Sequence, residues 1–128
     1  MNSDFKDLLK LFNAYRVRYL VVGGYAVMKY TEPRYTKDLD IWVEATPKNA
    51  NAVFKALRKF DAPLANLNEA DFAREGFFYQ MGRPPARVDI LMSIQGVVFA
   101  DAWSNRVASD FDGVTGHVIS RKDLIDNN

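Results

Sequence analysis

Asp38 and Asp40 stand two residues apart in the segment Lys37-Asp38-Leu39-Asp40-Ile41-Trp42-Val43. On an extended strand that spacing sends both carboxylates to one face, while Leu39, Ile41 and Val43 point to the other. Two like charges so placed repel, and a divalent cation between them relieves the repulsion. Hard cations such as Mg2+ or Mn2+ take oxygen ligands of this kind. A third acid, Asp89, interrupts the apolar run Val88-Asp89-Ile90-Leu91. If its strand lies beside the first, three carboxylates converge and can hold one or two cations that clamp phosphates and activate an attacking hydroxyl. An Asp-x-Asp pair alone is more often a solvated strand edge or a turn cap, so the combination carries the reading.

Other residues could meet a phosphate. Gly23-Gly24 ends an apolar run and opens a helical one, an arrangement that exposes backbone N–H groups at the positive end of a helix. Arg34 and Lys37 precede the aspartates and could neutralise triphosphate oxygens, and Arg87 should share the strand face of Asp89. For these three cations a surface ion pair to the neighbouring acids is an equally good reading. Trp42 alternates onto the face of Asp38 and Asp40 and is the best aromatic candidate for stacking on a base, although aromatics at such spacings usually belong to the core. His117 reads as an exposed strand residue.

The elements that must position these groups follow from periodicity. Ser3 reads as an N-cap, with Phe5, Leu8, Leu9, Leu11 and Phe12 forming a helical stripe to about Arg16. Tyr19 to Val22 is a short strand, followed by the glycine turn and a helix over Tyr25 to Tyr30 that ends before Pro33. Asp38 to Val43 is a half-buried strand. Thr46-Pro47 is an N-cap with proline at the first helical position, opening a helix through Phe60. Asn68 caps a single turn through Asp71-Phe72. Gly76 to Met81 and Arg87 to Met92 read as an antiparallel pair around Gly82-Arg83-Pro84-Pro85, and a short helix is expected near Phe99 to Trp103. Val107 to Phe111 and Val114 to Ile119 flank Asp112-Gly113, a strong two-residue hairpin signal, and Ser120 caps a last helix. The sum is one α+β (mixed α/β) domain over residues 1–128, a central mixed sheet with helices packed mainly on one side.

Composition narrows the function classes. The chain has 128 residues, with 48% hydrophobic and 26% charged, as expected for one globular core. Seventeen basic against 16 acidic residues give no strong footprint for duplex nucleic acid, though a local basic site remains compatible. The absence of cysteine rules out disulfides and zinc thiolates. No signal peptide is visible, and no apolar run nears the roughly 20 residues that span a bilayer. A cytoplasmic location without membrane association is the expectation.

The stretch Val21-Val22-Gly23-Gly24-Tyr25-Ala26-Val27, together with Arg34-Tyr35-Thr36-Lys37-Asp38-Leu39-Asp40-Ile41-Trp42-Val43 and the later Asp89, resembles the core of the nucleotidyltransferase superfamily with its DNA polymerase β-like fold. The nearest likeness is to its small bacterial branch related to abortive-infection toxins. The resemblance, from about Tyr19 to Ile125, implies that Gly23 and Gly24 grip a triphosphate, that Asp38 and Asp40 bind magnesium or manganese, and that Asp89 completes the site. Gly24 stands where relatives often carry serine, and the basic helix that several relatives place after the segment matching Asp123-Leu124-Ile125 is not expected here. The implied activity is transfer of a nucleoside monophosphate from a nucleoside triphosphate to a hydroxyl of a small molecule, protein or RNA. The alternative is a weak or inactive member serving as a nucleotide sensor or toxin-antitoxin type partner. In that case an apolar patch exposed near Val118 to Ile125 would receive a partner protein or a second copy.

Overall fold

The apolar stripe at the N-terminus folds as α1 (Ser3–Ala14), burying Phe5, Leu8, Leu9 and Phe12. Its cap is Asn2 rather than Ser3: the Asn2 side chain accepts from the Asp4 N–H at 2.7 Å. The helix stops two residues short of Arg16, which takes the left-handed region with φ 57°. There the Arg16 N–H donates to the Asn13 carbonyl and the Val17 N–H to the Phe12 carbonyl, closing the helix in the double hydrogen-bond motif that usually has glycine at this position. This structure is a computed structural model that describes residues 1–31, 38–83 and 86–127.

Six strands form one mixed sheet: β1 (Tyr19–Val22), β2 (Leu39–Val43), β3 (Phe78–Met81), β4 (Val88–Leu91), β5 (Val107–Phe111) and β6 (Val114–Val118). Their spatial order is β3-β4-β2-β1-β6-β5. β1 runs antiparallel to β2 and parallel to β6, and β2 runs parallel to β4. The two antiparallel hairpins expected from the sequence, β3 with β4 and β5 with β6, form the outer thirds of the sheet. Among the described residues the helices are α1, α2 (Gly23–Tyr30), α3 (Pro47–Lys59), α4 (Phe99–Ser104) and α5 (Arg121–Asp126), with a 3₁₀ turn at Glu69–Ala73.

The register decides which residues share a face. Tyr19 pairs with Val43, Val21 with Ile41, Leu39 with Val88 and Ile41 with Ile90, so these side chains form the apolar face. Helix α1 covers it through Phe12, edge-on to Tyr19. Helix α3 and the 3₁₀ turn cover it through Phe54 and Phe72, the latter edge-on to Tyr79. The opposite face carries Leu20, Val22, Asp40, Trp42 and Asp89, and α4 lies over part of it with Phe99 against Trp42. Helices thus occupy both faces, with the larger ones on the face away from the acids.

Asn49 ties the central strands to α3. Its buried side chain accepts from the Arg18 N–H at 2.7 Å and donates to the carbonyls of Arg18 and Glu44 at 3.0 and 2.9 Å. These backbone groups lie just before β1 and just after β2, so one amide fastens the start of one strand to the end of its neighbour. Asn49→Ala leaves them without a partner and should lower the unfolding free energy by about 3 kcal/mol. Urea titration checks this, and a loss below about 0.5 kcal/mol would show that water replaces the amide at no cost.

Candidate active site

Antiparallel pairing of β1 with β2 places Val22 opposite Asp40, and parallel pairing of β2 with β4 places Asp40 opposite Asp89. The last residue of β1 and the two carboxylates therefore lie side by side on three adjacent strands. Gly23 follows immediately, with φ 65°. A side chain there would collide with the Asp40 carboxylate, so glycine is required both by the left-handed backbone and by the acid packed against it. Helix α2 begins at Gly23 rather than after the glycine pair, with Val22 as a cap that provides no side-chain hydrogen bond. Gly24 is its second residue and is half-buried.

Asp38 precedes β2 and joins the cluster through Arg87. One guanidinium nitrogen, Nη2, donates to Asp38 Oδ2 at 3.0 Å and to Asp89 Oδ2 at 3.4 Å. Arg87 thus bridges two of the three acids, a more central place than its spacing from Asp89 suggested. Among the described residues, the buried side-chain polar atoms without a hydrogen-bond partner are Arg87 Nε and Asp89 Oδ1. Since an orphaned carboxylate oxygen in a nearly closed position is costly, Asp89 Oδ1 is the atom most in need of a ligand.

Asp40 bears the electrostatic consequence. Burial first, then the charge of Asp89, a hydrogen bond shared with Asp89 and the charge of Asp38 push its pKa from 3.8 up to about 6, with Arg87 acting in the opposite sense. The proton that neutralises this pair at low pH occupies the place a cation would take at high pH. Among the described residues no three or more acids or histidines are grouped as a ready-made metal site, and Asp38 and Asp89 are instead both held by hydrogen bonds from Arg87. The donor set still suits a hard cation: carboxylate oxygens only, one of them orphaned, beside a glycine with no side chain in the way.

Arg34 and Lys37 lie outside the described residues. Trp42 does share the face of Asp40, but it is 2% exposed and edge-on to Phe99 at 4.9 Å, so the expectation that it offers its ring to a base is corrected: α4 already covers it. His117, expected to be exposed, is half-buried between Tyr19 and Trp103. Of the apolar patch anticipated from Val118 to Ile125, Val118 and Ile119 are fully buried and Ile125 is 58% exposed, because β6 runs into the core before α5 turns outward. No helix among the described residues is long and apolar enough to cross a membrane. A scan against family models matches none of them, and a search of curated proteins finds no match.

The raised pKa of Asp40 has a defined sign. The folded chain binds that proton more tightly than the unfolded chain, so the contribution favours folding below about pH 4 and is lost as pH rises through about 6. In metal-free buffer Asp40→Asn should therefore raise the unfolding midpoint relative to the parent at pH 8. At pH 4.5 the gain should be much smaller, the pH 8 difference being on the order of 1 kcal/mol because the group is partly solvated. Equal gains at both pH values would mean that the acid is not strained by its surroundings.

Proposed function

We propose that the chain is a nucleotidyltransferase that moves a nucleoside monophosphate from a nucleoside triphosphate to a hydroxyl acceptor. The observation that carries this reading is the register of Asp40 against Asp89 beside the glycine that opens α2. That register puts two strained carboxylates next to a helix start where phosphate oxygens can meet backbone N–H groups. The resemblance of Gly23-Gly24, Asp38-Leu39-Asp40 and Asp89 to the superfamily pattern supports the same reading. Asp40 and Asp89 would hold magnesium or manganese, with Asp38 as the third ligand. When bound, the cation supplies charge neutralisation of the triphosphate and makes the acceptor hydroxyl more acidic.

The chain's own residues then have distinct tasks. Gly23 and Gly24 admit the triphosphate to the first turn of α2. Arg87, which lies between the acids, can turn one face of its guanidinium to a phosphate while holding Asp38 and Asp89 in place. The acceptor oxygen bonds to the α-phosphorus as the bond from that phosphorus to the bridging oxygen breaks, pyrophosphate leaves with the bond's electron pair, and the acceptor's proton passes to the Asp89 carboxylate. A second reading is favoured by the Arg87 bridge, which ties up two of the three acids: a protein that binds the triphosphate and senses it without transfer.

Thermal unfolding with magnesium and each of the four triphosphates addresses binding. At least one triphosphate should raise the midpoint only when metal is present, by an amount equivalent to about 2.7 kcal/mol at a hundredfold excess over Kd, and the Asp38→Ala, Asp40→Ala double variant should show no rise. No rise in the parent under any condition would contradict nucleotide binding. Incubation with triphosphate labelled at the α-phosphate, alone and with RNA or protein acceptors, then separates the readings. A transferase incorporates label, with a loss of about a hundredfold or more in Asp89→Asn, whereas a sensor binds without incorporating any.

A further inference from the structure

The opposite end of β1 carries a different collection of groups. Arg18 immediately precedes the strand as Gly23 follows it, so the two residues lie about 17 Å apart along the strand. At the Arg18 end a cleft of about 400 Å³ is lined by Asn13, Arg16, Arg18, Trp103 and His117, among others. A second hollow that includes Tyr15 and Lys48 shares Arg16 and Arg18 with it, so the two guanidiniums stand where the hollows meet. The Trp103 ring carries the Arg106 guanidinium at 3.9 Å and that of Arg18 at 5.6 Å from its centroid, and Phe99 is stacked on it at 5.9 Å. His117 lies edge-on to the same ring at 5.1 Å.

Several facts mark this cleft as more than a solvated surface. The Arg16 side chain makes no ion pair or hydrogen bond among the described residues, and it occupies a left-handed position where glycine would cost less. Arg18 is partly committed, to Glu44 at 3.5 Å, yet its side chain is 54% exposed. Burial and the neighbouring Arg106 depress the proton affinity of His117, leaving a neutral ring with one donor and one acceptor at physiological pH. Guanidiniums interleaved with half-exposed rings suit a ligand that alternates anionic groups with flat π-systems. An acidic peptide would satisfy the guanidiniums and leave the rings unused.

We propose that this cleft binds a nucleotide unit of a single-stranded nucleic acid, with its phosphate on Arg16 and Arg18 and its base against His117 and the margin of Trp103 that lines the cleft. The assignment does not depend on the carboxylate site. It is compatible with the near-neutral total charge, because only a local basic cleft is needed. A free nucleotide has the same chemistry as one unit of a strand, and the length dependence of binding distinguishes these sources.

The test uses the full chain in EDTA at about 50 mM salt, with a fluorescent single-stranded RNA ten nucleotides long followed by anisotropy, and with adenosine monophosphate and inorganic phosphate as unlabelled competitors. The parent should bind the strand with an affinity that falls as salt rises. Arg16→Gly should weaken it about fivefold and reduce the salt slope by about 0.7, with an unfolding midpoint no lower than the parent's, since glycine suits φ 57°. Arg106→Gln should also weaken binding, and Lys59→Gln, at the end of α3 away from Lys48, should not. Competition by the mononucleotide at an affinity near that of the strand identifies a free nucleotide as ligand, whereas competition only by longer strands identifies the nucleic acid. No binding by the parent, unchanged binding in both arginine variants, or an equal loss of binding in Lys59→Gln would each overturn the proposal.

Discussion

The repulsion between Asp40 and Asp89 is the constraint around which the described sheet is arranged. Both sit in inner strands, in direct register, one of them nearly closed off from solvent. If both were ionised about 5 Å apart, the unfavourable interaction would reach roughly 3 kcal/mol at an effective dielectric near 20, before screening by solvent. The fold limits that cost in two visible ways. Asp40 retains its proton up to about pH 6, and Arg87 donates to Asp38 and Asp89 from the same nitrogen. Arg87 reaches Oδ2 of Asp89 and not Oδ1, so once Asp40 is ionised Oδ1 has no hydrogen-bond partner among the described residues. A polar atom left in this condition by an otherwise well-satisfied sheet is the natural place for a ligand.

The rest of the sheet holds that juxtaposition rigidly. The apolar face is closed by α1, α3 and the 3₁₀ turn, and the strand ends are joined by the Asn49 amide. On the acidic face α4 covers Trp42 but not Asp40, so the polar end of β2 stays half open while its other end is core. From Trp42 a series of ring contacts passes through Phe99 and Trp103 to His117. It joins the carboxylate end of the face to the arginine-lined end through packed aromatic surface. The two ends are therefore connected through one packed face of the sheet.

Much of this was legible in the residues, for physical reasons that differ from element to element. The strict alternation of Leu39, Asp40, Ile41, Trp42 and Val43 fixes the strand and the shared face, and Asp112-Gly113 fixes a hairpin, because period-two patterning and left-handed turn residues are local signals. Ser120 and Asn68 were readable caps for the same reason. The first cap was misplaced by one residue because Asn2 and Ser3 are both good caps and only the geometry selects Asn2. What could not be read was which side chains meet across the fold. Trp42 has the right parity for the site but lies at the end of the strand that α4 covers, and parity does not say how far along a strand a helix reaches. The bridge from Arg87 to Asp38 spans 49 residues of sequence, and the pairing of Arg18 and Arg106 around Trp103 is equally non-local. The spacing Arg16-Val17-Arg18 was the one local hint of that second cluster.

Manganese binding followed by electron paramagnetic resonance tests the central claim most directly, because free aqueous manganese gives a strong signal that weakens on coordination. At pH 7.5, in the presence of a non-hydrolysable triphosphate and beyond the loss that the triphosphate alone causes, the parent should remove signal equivalent to at least one ion per chain, and the Asp40→Asn, Asp89→Asn double variant should remove none. At pH 4.5, where Asp40 carries its proton, the parent should bind far more weakly. Equal loss of signal by parent and double variant, or none by the parent at pH 7.5, would show that these carboxylates are not the cation site.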